Sequence, residues 1–136
     1  MANPSAPAPV AWGMIFSLEN ADNPSSPHTA QEVAAIIRTW AALRSVKQEP
    51  LLANMMFNKG TVCFIDEKGA ERTGTFPGCM IHGVSVLDDA QTRDMLVQLA
   101  GLFGEVLGQK IVEVHFNGVL HVKRVLVLPP TKITIN

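Results

Sequence analysis

The amino-acid sequence predicts an α+β fold: a single domain with a mainly antiparallel sheet and two helices packed on one face. Three observations carry this reading. Strand-like runs come in groups joined by short turns, without the regular strand–helix alternation that a parallel sheet requires. Two segments with helical periodicity each begin on a cap residue, Thr29 and Asp88. No apolar run approaches the length of a membrane span.

Val10–Leu18 reads as the first strand, ended by the polar loop Glu19–Pro27. In Thr29-Ala-Gln-Glu32 the threonine hydroxyl can accept the Glu32 N–H, and the glutamate can reach back to the N–H of Thr29. The helix that follows is expected to reach about Val46, with Val33, Ile36, Ile37, Trp40 and Leu43 on one face. Pro50 interrupts it. Leu51–Phe57 is expected to form a further short helical piece, stopped near Gly60.

Thr61–Asp66 and Ala70–Phe76 flank a hairpin turn at Glu67-Lys-Gly69. Pro77-Gly78 is read as a break, and Cys79–Leu87 as the next strand. Asp88, with Gln91 three residues on, caps a second helix that runs to about Leu107 and ends at Gly108. A hairpin around Asn117-Gly118 follows, closed by Pro129-Pro130, and Lys132–Asn136 alternates like a short last strand. The predicted order is β-α-β-β-β-α-β-β plus a tail strand. Residues 1–9 form a Pro-rich arm, 10–128 the domain and 129–136 a tail that could pair at a sheet edge.

Composition narrows the function classes. Charged residues make up 17% of the 136 residues, against about 25% in an average soluble protein. That shortage points to apolar surface that needs cover, and a subunit interface would supply it. The formal net charge of −1, with Lys123-Arg124 as the tightest basic pair, argues against nucleic acid. The N-terminal residues lack a basic region followed by an apolar one, so a cytoplasmic address is expected, with Cys63 and Cys79 reduced.

The second helix carries two stripes. Met95, Leu96, Leu99, Leu102, Phe103, Val106 and Leu107 form a broad apolar face. Beside it run Val97, Ala100, Gly101, Gly104 and Gly108, small residues that would accept either the first helix or a partner subunit. With Ile133 and Ile135 of the tail, these are the expected interface residues of a homodimer.

The candidate chemistry is sparse. Cys79 with His82 has the residue types of a thiol nucleophile and its base, but residues three apart on a strand point to opposite faces. Gly74-Thr-Phe-Pro-Gly78 lacks the spacing of a phosphate loop, and Glu19, Asn20, Asp22 and Asn23 lack that of a calcium loop. Trp40, Met55, Met56 and Phe57 would line a small apolar ligand cavity. No cofactor is implied.

The hairpin holds the best-defined cluster. A two-residue Asn117-Gly118 loop separates His115 from His121 and mixes both faces. A three-residue loop, Phe116-Asn117-Gly118, instead segregates Val112, Val114, Leu120 and Val122 as a buried face. It puts Glu113 across from His121 with His115 on the diagonal. The three-residue loop is therefore expected, and Glu113, His115 and His121 become candidate metal ligands or an acid–base group. The plainer alternative is the wet face of a sheet. The function expected is a small binding or interaction module without catalytic activity. The alternatives are a small enzyme or metal-binding protein using that cluster, or a structural component of a larger assembly.

Overall fold

The computed structural model of the protein describes residues 9–51, 55–64, 74–109, 111–117 and 122–127. In chain order the elements are β1 (Val10–Ser17), α1 (Ala30–Val46), β2 (Met55–Phe64), β3 (Gly74–Ser85), α2 (Asp89–Leu107), β4 (Val112–Asn117) and β5 (Val122–Val127). The strands form one sheet in the order β2-β3-β1-β4-β5, with antiparallel neighbours throughout. The first six elements make the split β-α-β-β-α-β arrangement of ferredoxin-like domains, and β5 extends it at one edge. The α+β class with two helices on an antiparallel sheet stands as predicted.

Strand parity builds the core. Val10, Trp12, Met14 and Phe16 of β1 point to the helices, as do Cys79 and Ile81 of β3 and Val112, Val114 and Phe116 of β4. They meet Val33, Ile36 and Trp40 of α1 and Met95, Leu96, Leu99 and Phe103 of α2 in one cluster. Phe16 and Phe103 stack with centroids 4.4 Å apart. Both capping boxes form: Thr29 Oγ1 accepts the Glu32 N–H at 3.3 Å, and Asp88 Oδ1 accepts the Gln91 N–H at 2.8 Å. α2 ends on left-handed Gly108, as its sequence implies. α1 ends in the same way but with Gln48 as the left-handed residue, the Glu49 N–H returning to the Arg44 carbonyl at 2.9 Å.

Three local expectations change. Met55–Phe57 is the start of β2, so the expected short helical piece does not extend over these residues, and the two strands expected around Pro77-Gly78 are one continuous β3. The sheet accommodates Pro77 because its missing N–H would face the carbonyl of Leu18, which already accepts the His28 N–H at 2.8 Å. The Pro77 carbonyl still takes the Leu18 N–H at 2.7 Å. On α1 it is Arg44, not Leu43, that turns inward. The turn at Glu67–Gly69, residues 1–8 of the arm and the tail with Ile133 and Ile135 lie outside the described residues.

Gly78 is held to glycine by its neighbours. A Cβ there would collide with Val62 Cγ2 and come within 3.2 Å of the Phe16 carbonyl. Gly78→Ala is expected to destabilise the protein by about 1–3 kcal/mol in urea denaturation, the usual range for overpacking. Adding Val62→Ala should recover only part of this, because Val62 Cβ itself lies 2.7 Å from the added atom.

Candidate active site on the open sheet face

The face of the sheet away from the helices carries the residues of opposite parity. The cross-strand register lines up Met56, His82, Gly13 and His115 in one row, running from β2 through β3 and β1 to β4. The next row is Asn58, Met80, Ile15 and Glu113. His82 and His115 thus stand on either side of a glycine, two inter-strand spacings of ~4.8 Å apart at Cα. His82 is exposed, and the side chains of His115 and Glu113 are 38% and 19% exposed.

Glu113 and His115 lie two residues apart on one strand, so their side chains share a face, and Glu113 Oε1 sits 2.5 Å from His115 Nε2. With Nε2 donating to the carboxylate, the neutral ring presents Nδ1 as an acceptor, with no partner for it among the described residues. His28 forms a contrasting pair. Its Nδ1 lies 2.7 Å from Glu32 Oε2 and its Nε2 lies 3.1 Å from the Leu107 carbonyl at the end of α2. Hydrogen bonding from His28 is the main cause holding the Glu32 carboxyl below its ordinary range. Both nitrogens of His28 are engaged in tying α1 to α2, which leaves it a structural clamp. His115 keeps one nitrogen without a partner among the described residues.

The hairpin adopts neither register expected from its sequence. Glu113 pairs with Leu126, Val114 with Val125 and Asn117 with Val122, which leaves residues 118–121 between the strands. Glu113 is therefore not across from His121, and His121 lies outside the described residues. Phe116 excludes the three-residue loop. It pairs with Trp12 of β1 and is buried with it, so it cannot serve as a turn residue. The register of β4 is set by β1 and the core, and the turn follows. Among the described residues no group of three His, Cys, Asp or Glu side chains is placed to hold a metal ion.

Other candidates also move apart. Cys79 is buried on the helix side, opposite Phe16, while His82 points to the open face. Burial pushes the Cys79 thiol up to about 11, with Lys59 pulling weakly the other way. An activated nucleophile needs the opposite shift. In a Cys63→Ser background, Cys79 is expected to resist iodoacetamide at pH 7 until the protein is unfolded, since only ~10⁻⁴ of such a thiol is ionised. Labelling at the rate of a free thiol would contradict this.

The predicted ligand cavity is not assembled, because β2 is a strand. Trp40 is fully buried in the core, Met55 and Phe57 face the helices, and Met56 faces the other way beside His82. Of the small-residue stripe, Ala100 and Gly104 are buried within the chain itself. A concavity of about 260 Å³ between α1 and α2 is lined by Glu32, Ala35, Ile36, Thr39, Leu102, Val106 and Leu107. Its carboxylate, Glu32, is already committed to the capping box and His28. No helix among the described residues is long and apolar enough to cross a membrane.

Comparison with known proteins adds fold-level likeness. No family model matches the sequence, and no curated protein does. Two solved structures match over nearly their whole length. One is a phage SAM lyase in complex with S-methyl-5'-thioadenosine, with TM-score 0.62 and 12% identity over 94% of this chain and 95% of that one. The other is a phage SAM lyase in the apo state, with TM-score 0.64 and 14% identity over 96% and 97%. These neighbours speak against the expectation of an interaction module without catalytic activity: there the shared fold serves an enzyme.

Proposed function

We propose that this protein is a small enzyme that cleaves a carbon–sulfur bond in an adenosylated sulfonium compound, with S-adenosylmethionine as the first substrate to test. The observation that carries this reading is the end-to-end match to two structures of an enzyme named for that substrate. The oriented Glu113–His115 pair on the open sheet face supports it.

The chemistry suits the pair. A sulfonium leaves as a neutral thioether and needs no general acid. The remaining task is to remove a proton from the carbon next to the breaking bond. His115 Nδ1 takes that proton, and the C–H electron pair becomes the new carbon–carbon double bond. The sulfur keeps the electrons of the broken C–S bond. The products are methylthioadenosine and an unsaturated amino acid, and the imidazolium, stabilised by Glu113, returns its proton to solvent.

Incubation with S-adenosylmethionine and chromatographic detection of methylthioadenosine tests the activity. No turnover, together with no calorimetric binding of methylthioadenosine at ~1 mM, would defeat the proposal. A lactone in place of the unsaturated amino acid would assign cleavage to the substrate's own carboxylate and leave His115 without a proton to take.

A further inference from the structure

Gly13 lies in the interior of the central strand β1, and nothing inside the protein requires a glycine there. It is not among the residues with positive φ. A Cβ at this position would meet only the Ile81 carbonyl oxygen, at an ordinary 3.8 Å. Glycine weakens a strand and gives it no side chain to pack, so a glycine with neither conformational nor steric cause marks a place where something else approaches the backbone closely.

The surroundings define what approaches. His82 and His115 flank Gly13 along the row, with Met56 beyond His82 and Met80 and Ile15 in the next row. Met56 and Met80 are 60% and 43% exposed, an unusual state for methionine in a sheet without a partner. Imidazole rings, thioethers and a bare peptide plane favour a flat, uncharged heteroaromatic ring. Glu113 stands one row away beside Ile15, held to His115, and Arg124 of β5 follows His115 in the row of the slot.

We infer that the slot over Gly13 receives the purine ring of an adenosyl ligand. This rests on the proposed activity and names the subsite that would serve it. The ring lies against the Gly13 backbone between the two histidines, and the methionines cover its apolar edge.

The test is binding of methylthioadenosine and S-adenosylmethionine by calorimetry, with two-dimensional NMR on the same samples. Gly13→Val fills the slot with a residue suited to strands, and it is expected to weaken both ligands by at least about tenfold while thermal stability holds. Gly13→Ala provides a milder step should the valine disturb the fold. In the unsubstituted protein, methylthioadenosine should shift the Gly13 α-proton signals through the purine ring current. Val106→Lys, in the groove between the helices, should leave both affinities unchanged. Wild-type affinity in Gly13→Val and Gly13→Ala, or loss of binding in Val106→Lys alone, would overturn the inference while the proposed activity stands. Absence of binding of either ligand to the unsubstituted protein would overturn both.

Discussion

Glu113→Gln is expected to lower turnover of S-adenosylmethionine by about 100-fold or more, with KM nearly unchanged and the melting temperature intact. A glutamine at this position keeps the size of the side chain and can still accept the Nε2–H of His115. What it loses is the negative charge that stabilises the imidazolium once formed. That stabilisation exists mainly after proton transfer, so the loss falls on kcat rather than on substrate affinity. His115→Ala should fall further, within the ~10²–10⁴-fold range of a positioned base. The double variant should be little worse than His115→Ala alone, because the carboxylate acts through the ring. Wild-type turnover in Glu113→Gln would remove the pair from the mechanism.

Arg44 carries the largest expected effect on stability. Its guanidinium is fully buried: Nε donates to the Pro50 carbonyl at 2.7 Å, and Nη1 to Gln98 Oε1 at 2.7 Å and Asp94 Oδ2 at 3.4 Å. Nη2 is buried without a partner among the described residues. The group ties the end of α1 to α2, but Asp94 is 68% exposed and hydrates easily once released. Truncation to alanine therefore acts mainly by leaving a hole, at about 2–4 kcal/mol, with a fall in Tm on the order of 10 °C. Arg44→Met fills most of that volume with an apolar chain and removes the desolvated charge, so it should cost much less. Urea denaturation of the two variants decides between them. Equal losses would show that the forked hydrogen bonds dominate and the packing does not.

How much of this was legible in the sequence depends on the range of the interactions. Helix starts were readable because a capping box spans three residues and carries its own donors and acceptors. The stop at Gly108 was readable for the same reason. The shared face of Glu113 and His115 follows from strand parity alone. The inward turn of Arg44 was not readable, since its partners on α2 lie fifty and more positions away. Met55–Phe57 was mistaken for helix because three apolar residues in a row fit either period. Local burial and turn chemistry do not give the hairpin register, because Trp12 on a distant strand decides where Phe116 goes. Gly13 is silent in the sequence for a related reason. Its meeting with His82 and His115 depends on the strand order β3-β1-β4, which no local pattern encodes.

The hydrogen bond that Pro77 leaves to His28 has a consequence for engineering. Residues 19–27 leave the sheet at Leu18 and return at His28, whose N–H lies 2.8 Å from the Leu18 carbonyl. The segment is a closed loop, with Asn20 Oδ1 accepting the Asp22 N–H at 3.0 Å to organise its interior. Closure entropy grows only slowly, so doubling such a loop costs about 0.6 kcal/mol. Foreign peptides, affinity tags or a second domain could be carried between Ala21 and Ser26 at little cost to the sheet.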